Sequence, residues 1–473
     1  MQKHHSLVFA ICCATTFAVL CCLAASNNYT GDTGDSITHY MFARYAWVHH
    51  ALFFNQWAKP LFVLLASPFA QFGFTGIKIL NCLLGVLSCF FTYKVAKALN
   101  MNNAMLVLPI MFFCPMYFAM LFSGLTEYMF AFFLITAIYL TIKQKYVWAL
   151  VIISFLPFVR AEGMIVMGVF GLYLLATKRF KYIPLLLVGN VAYSIAGSFY
   201  YHDILWVFTK LPYANLHSQY GHGLITDFIH ILMYDIEKPV FVLMCLGFLA
   251  FLYRHFRKGD MALGKEESIL IYDGFALFFI AHSIFWWKGI FSSGGFLMPR
   301  VMNAEVPLIA IIALGGLNFV LGFIHKPLLN RAIVVAVVVG IILFPFTNRK
   351  NAIVFNKSLF KQTEIEMMDT QVAPYIKANF PDYKKGKVYY AHQYVSLALD
   401  IDPFDTAKHG IMHYMFHEKM PPNTPIVWDD WFAPVEEGVH LKDIANDTAF
   451  VFCASYEKQD HDRIVKFAVF KKK

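Results

Sequence analysis

Apolar residues in this chain come in long runs with short polar breaks, not at the spacing of half-buried helices or strands. Eleven runs approach the length that crosses a bilayer, about 17–25 residues each. They lie near 7–25, 77–96, 104–122, 125–142, 146–160, 163–177, 182–201, 239–253, 268–287, 305–325 and 331–347. Those near 146–160 and 239–253 are short. The first run is flanked by Lys3 and by Ala24-Ala25 in the manner of a signal peptide. It is longer than the usual apolar region of about 7–15 residues, and is read as a span. The pattern predicts a mainly α, polytopic membrane helix bundle of about 11 spans over residues 1–347.

After residue 347 the pattern changes. Lys387–Ala391, Pro425–Trp428, Ala449–Cys453 and Ile464–Phe470 read as short strands, and Thr363–Ala378 as a helix. Residues 348–473 are therefore expected to form a small soluble α/β domain. Charge marks the same boundary: residues 1–347 carry 22 Lys/Arg and 13 Asp/Glu, and residues 348–473 carry 17 of each. Over the whole chain 59% of residues are hydrophobic and 15% charged, against roughly 25% charged in soluble domains. This excludes a disordered chain, a fibrous chain and a simple cytosolic enzyme.

The net charge of +9 lies in the membrane part, where it is a topology signal and not a nucleic-acid footprint. With the N-terminus cytoplasmic, 14 of the 22 basic residues fall at cytoplasmic span ends. Eleven spans then place the C-terminal domain on the extracytoplasmic side of a plasma (inner) membrane. Two outside loops are long. That near 26–76 contains apolar segments expected to lie as amphipathic helices at the interface. That near 202–238 contributes Trp206, Tyr213, Tyr220 and Tyr234 to an interfacial belt. The nine cysteines are read as small apolar fillers. No HExxH occurs, and His409 and His413 have no obvious third ligand, so no metal or other cofactor is indicated.

The candidate chemistry gathers on the outside face. Just after the first run stands Gly31-Asp32-Thr33-Gly34-Asp35-Ser36. A carboxylate in a partly dry pocket there has a raised pKa and suits a general base; the competing reading is a helix cap by Asp35. Arg44 and Lys59 follow, each able to bind an anionic head group or to snorkel to the interface. Ser123-Gly124-Leu125-Thr126-Glu127 puts a carboxylate at the fourth span, and Arg160-Ala161-Glu162-Gly163 puts a charge pair between the fifth and sixth. Charges at such depth are costly unless paired or functional. Arg160 has two possible partners, Glu162 and Glu127. The loop before the tenth span contains Ser292 and runs Gly294-Gly295-Phe296-Leu297-Met298-Pro299-Arg300. The glycine pair allows close backbone approach, and Arg300 has the fork geometry that suits phosphate.

Taken in order, the acidic motif after span one, Leu125-Thr126-Glu127, Arg160-Ala161-Glu162-Gly163, and Gly294-Gly295-Phe296 with Pro299-Arg300 resemble the GT-C superfamily of integral-membrane glycosyltransferases. That family includes protein O-mannosyltransferases, lipid A aminoarabinose transferases and the RgtA/B/C/D-like group. The resemblance covers roughly residues 1–347. It implies a GT-C type fold, a polyprenyl-phosphate sugar donor, and a lipid, glycan or protein acceptor. It also implies that the acid after span one is the base: Asp35, with Asp32 next. Many members carry an acidic pair here, whereas Ser36 follows Asp35. Lys59, Arg160 and Arg300 are the candidates for the leaving phosphate, and Arg44, Glu127, Glu162, Gly294 and Gly295 complete the expected substrate site. The rival reading is a polytopic transporter or lipid-linked sugar flippase. It predicts internal symmetry and charges on both faces; the unusual charges here share one face, and no internal repeat is visible.

Overall fold

The computed structural model describes residues 2–212, 218, 220–256, 264–291, 293–347, 353–460 and 463–473. Tyr213, Arg257, Lys258 and Ser292 lie outside the described residues. Among the described residues, seven helices are long and apolar enough to cross a membrane. They are His5–Ser26, Gly73–Ala98, Phe180–Tyr201, Asp227–Phe256, Lys265–Lys288, Pro299–Gly322 and Pro327–Phe346. Four shorter apolar helices, Pro60–Ala70, Glu127–Ile142, Tyr146–Phe158 and Gly163–Ala176, pack among or beside them.

Two departures from the sequence reading have backbone causes. The run near 104–122 is not one helix: it divides into Ala104–Leu106, Val107–Phe112 and Pro115–Met120. Cys114 is extended (φ −77°, ψ 112°), as the residue before a proline prefers. The short run near 239–253 is the second half of Asp227–Phe256, which breaks at Glu237 (φ 66°, ψ 156°), two residues before Pro239. Asp235, Glu237 and Lys238 interrupt the apolar pattern there, so hydropathy alone misses the first half. Trp206 also differs from expectation. It is fully buried, and its indole N–H donates to the Tyr193 carbonyl at 2.8 Å, so it belongs to the packed interior and not to an interfacial belt.

The bundle core is dense around Pro299–Gly322, which crosses Asp227–Phe256 at close range. A Cβ on Gly316 would lie 2.1 Å from the Leu243 carbonyl oxygen. Small residues permit such an approach where helices associate through van der Waals contact. Lys78, buried in Gly73–Ala98, spends its charge on the end of the first helix. Its ammonium donates to the Asn27 carbonyl at 2.6 Å and to that of Ala24 at 3.4 Å, which satisfies carbonyls left without helical partners.

The C-terminal region forms one mixed sheet. Its strands are β1 (Val388–Tyr390), β2 (His409–Gly410), β3 (Pro425–Asp429), β4 (Phe450–Asp460) and β5 (Arg463–Lys472). The order is β2-β1-β3-β5-β4; β1 runs parallel to β2 and β3, and β5 antiparallel to β3 and β4. The expected helix appears as Thr363–Met367, Met368–Val372 and Ala373–Asn379 in succession. This region seats on the end of the bundle where the first helix finishes. Asp35–Tyr45 and Pro60–Ala70 form there, in the loop where short helices were expected. Arg44 pairs with Asp400 at 2.9 Å, His49 with Asp402 at 2.8 Å, and Phe42 packs edge-on against Phe404.

Candidate active site

The site is built on the turn that leaves the first helix. Asp32 Oδ1 accepts hydrogen bonds from the backbone N–H of Gly34 (3.1 Å) and Ser36 (2.9 Å). Asp32 thus caps the Asp35–Tyr45 helix, a role the sequence pattern had offered to Asp35. Asp35 opens that helix, and its Oδ2 lies 2.5 Å from Arg300 Nη2. The Ser36 hydroxyl donates to the Thr30 carbonyl and accepts from the Gly124 N–H at 2.7 Å. Gly124 is required at this crossing, because a Cβ would fall 2.2 Å from the Ser36 carbonyl oxygen. Asn81 fixes the other side of the turn by donating to the carbonyls of Ser123 (2.7 Å) and Leu125 (3.0 Å).

That turn delivers Glu127 to a chain of alternating charges. Arg160 contacts Glu127 Oε1 at 2.8 Å and Glu162 Oε1 at 2.6 Å, so both partners offered by the sequence are used. Arg300 reaches Asp35, Asp32 Oδ2 at 3.1 Å and Glu127 Oε1 at 3.6 Å. His282 Nε2 lies 3.6 Å from Glu162 Oε1, and its Nδ1 lies 3.0 Å from the Phe278 carbonyl. Residues more than 250 positions apart thereby form one network.

The electrostatics follow from enclosure and neighbours. Burial pushes the Asp32 carboxyl up to about 6; Arg300 opposes the rise and Asp35 adds to it. Burial acts upward on Glu162 too, but Arg160 and His282 outweigh it and hold this carboxyl well below the usual range. Burial lowers the Lys59 ammonium to about 8 and the His39 imidazole to about 3, which keeps the ring neutral. Lys59 also sits at φ 67°, immediately before Pro60. A non-glycine residue there carries local strain of order 1–3 kcal/mol, a cost concentrated at functional sites.

These groups surround a cavity of about 490 Å³. Of the residues singled out from sequence, Asp35, Lys59, Glu127, Arg160, Glu162, Gly294, Gly295 and Arg300 line it. Asp32 stands behind Arg300. Arg44 lies outside the cavity, hydrogen-bonded to the Tyr40 hydroxyl (2.7 Å) and paired with Asp400. His39, Trp57, His282 and Phe285 line the cavity without having been selected from sequence. His39 was legible as the position one helical turn after Asp35. The ring of His39 stacks on Trp57 with centroids 5.1 Å apart. His282 carries no comparable signal, since it sits inside an apolar run. Among the described residues no group of three or more His, Cys, Asp or Glu side chains is arranged to hold a metal ion.

Three carboxylates and three cations facing one enclosed space can deprotonate a hydroxyl and neutralise an anionic leaving group. No family model matches the chain, and no curated protein matches it in sequence. Solved structures do match in shape. ArnT from Cupriavidus metallidurans bound to undecaprenyl phosphate superposes with a TM-score of 0.59 at 11% identity, over 99% of this chain and 98% of that one. The apo state of the same protein gives 0.59 at 10% identity over the same shares. The chain thus shares the fold of ArnT, a mainly helical bundle with a small C-terminal sheet.

Proposed function

We propose that this protein is a membrane glycosyltransferase that moves a sugar from a polyprenyl-phosphate donor to an acceptor hydroxyl on the extracytoplasmic side. The observation that carries the reading is the shared cavity: Asp35 faces Lys59, Arg160 and Arg300 within a fold like that of ArnT, whose structure was solved with undecaprenyl phosphate bound. The donor's isoprenoid tail stays in the bilayer, so its phosphate and sugar must be met at the membrane surface, where the ends of the apolar helices bring these groups in this reading.

In the reaction the acceptor oxygen attacks the anomeric carbon and loses its proton to Asp35. The bond from that carbon to the phosphate oxygen breaks, and its electron pair leaves with the lipid phosphate. Direct displacement inverts the anomeric configuration. Positive charge develops on the sugar ring, near Asp35 and Glu127. The growing negative charge on the phosphate falls to Lys59, Arg160 and Arg300. Arg300 links the two ends. A donor phosphate that engages its guanidinium competes with Asp35 for it, and frees the carboxylate as base when the donor is in place.

The test is a transfer assay in proteoliposomes with a panel of polyprenyl-phosphate sugars and hydroxyl acceptors, run beside direct binding of undecaprenyl phosphate. Transfer from one donor that is lost in Asp35→Asn supports the reading. Absence of both transfer and lipid-phosphate binding across the panel would sink it.

A further inference from the structure

The turn that carries Asp32 and Asp35 is held from two sides, and the second side is the C-terminal domain. Gln362 accepts from the Thr30 N–H at 2.8 Å and donates to the Gly31 carbonyl at 3.3 Å. Glu364 Oε2 accepts from the Thr33 hydroxyl at 2.6 Å. The same carboxylate meets His392 Nε2 at 3.3 Å, and its other oxygen meets Arg463 at 2.6 Å. Arg463 reaches on to Asp430 at 3.3 Å. The Phe432 ring lies 3.2 Å from where a Cβ would begin at Gly34, and Asp429, 1% exposed, accepts from the Phe432 N–H at 2.5 Å, anchoring that ring's backbone. Positions 30, 31, 33 and 34 are thus each contacted by the tail, and the two acids stand at 32 and 35.

We infer that Glu364 is a positioning residue for the acidic turn, so that the C-terminal domain braces the active site from behind; for its effect on turnover this rests on the proposed transferase reading. Glu364 does not line the cavity, and its partners Thr33, His392 and Arg463 do not line it either. It acts through Thr33, whose neighbour Asp32 caps the Asp35 helix and pairs with Arg300. Its own place is set from behind by His392, which is 1% exposed, and by Arg463. Burial would raise its carboxyl, but His392, Thr33 and Arg463 outweigh that and hold it at about 2. It is a permanent anion and a firm acceptor for the Thr33 hydroxyl. Reacting groups must be held within a fraction of an ångström, and a misplacement of about 1 Å costs on the order of a hundredfold in rate. A turn with two glycines, Gly31 and Gly34, has little rigidity of its own, so the clamp supplies it.

The experiment uses the full chain. Thr33→Val removes the hydroxyl and keeps the shape; Thr33→Ser restores it; Glu364→Gln keeps an acceptor but removes the charge that Arg463 and His392 require. We expect Thr33→Val to lower kcat by about 10–100-fold with the donor KM within about twofold. Thr33→Ser is expected near the parent, and Glu364→Gln between the two. Hydrogen exchange of the 30–36 amides should speed up in the same order. Parent-like kcat and exchange in both Thr33→Val and Glu364→Gln overturn the inference. So does a kcat loss that Thr33→Ser fails to restore. If Thr33→Val yields no folded protein, Glu364→Gln carries the test alone, with the same criteria. If the parent transfers no sugar, the transferase reading has failed. The exchange measurement then still decides the clamp: faster exchange at 30–36 in Thr33→Val supports it, and unchanged exchange overturns it.

Discussion

At the residue scale the structure separates two aspartates that the sequence left interchangeable. Asp32 is occupied with the backbone N–H groups of Gly34 and Ser36, and Asp35 makes no capping bond. Asn caps about as well as Asp, so Asp32→Asn should fold; lacking the charge that balances Arg300, it should show at every pH the reduced kcat/KM that the parent shows once Asp32 is protonated. Asp35→Asn should fold and lose about 10²–10⁴-fold in kcat, the usual worth of general-base assistance. Parent-like turnover of Asp35→Asn at saturating donor would remove it from the mechanism. The Asp32 carboxyl, raised to about 6 by burial, adds a pH signature. Below that pH it takes up a proton and no longer balances Arg300. We expect kcat/KM to fall on the acid side of pH 6 in the parent, and this limb to vanish in Asp32→Asn; a limb unchanged by the substitution would assign it elsewhere. Arg300 is not a free phosphate hook but a largely enclosed partner to three carboxylates. Arg300→Ala leaves Asp32 and Asp35 without their cation, while Glu127 keeps Arg160; the pairs are partly exposed, so the cost falls below the roughly 3–5 kcal/mol of a fully buried pair. We therefore expect a lower Tm for Ala. Arg300→Lys should fold and show a raised donor KM, because a point charge replaces a fork. A normal Tm for Arg300→Ala would contradict this.

At the scale of elements, the short helices after the first span do more than rest at an interface. Asp35–Tyr45 carries Asp35 and His39 to the cavity, while Arg44 faces the C-terminal domain. The helical segment from Thr363 supplies Glu364 to the acidic turn. Because the folded carboxyl of Glu364 is held at about 2, below its ordinary value, the unfolded chain binds its proton more readily. The stabilisation is therefore fully present above about pH 4.5 and is lost as pH falls through 2. Thermal unfolding followed by fluorescence from pH 6 to pH 3 should show a steeper drop in Tm for the parent than for Glu364→Gln. Equal slopes would mean that the carboxylate gains nothing from Thr33, His392 and Arg463. The apolar runs foretold most helices because burial in lipid or protein demands them. They failed at Cys114-Pro115 and at Glu237–Pro239, where proline and buried charge override hydropathy.

At the scale of the whole molecule, the eleven-run reading of the sequence and the bias of basic residues lead us to propose that the C-terminal domain lies outside the cytoplasm. A reporter active only in the cytoplasm, fused after Lys473, should stay silent. Activity there would reverse the topology and move the proposed site to the other face. The one-sided gathering of Asp32, Asp35, Glu127, Arg160, Glu162 and Arg300 was legible from sequence, since charges at span ends stand out against an apolar background. The contribution of Arg44 was misread for the same reason: a lone arginine near a membrane looks alike whether it faces a cavity or a partner domain. His39, Trp57 and His282 were passed over because buried aromatic and imidazole side chains resemble ordinary core.

Composition and pattern by themselves determined that this is a helical membrane protein with a small α/β tail, because the bilayer admits few alternatives for runs so apolar. They also determined which charges are too deep to be idle. Pairing was beyond them. That Asp32 caps while Asp35 faces Arg300, that Arg160 serves two glutamates, and that Glu364 reaches back more than 300 positions to Thr33 depend on contacts between distant segments. Periodicity reports only local conformation and burial. Which charge meets which is settled when the helices and the tail close around one cavity.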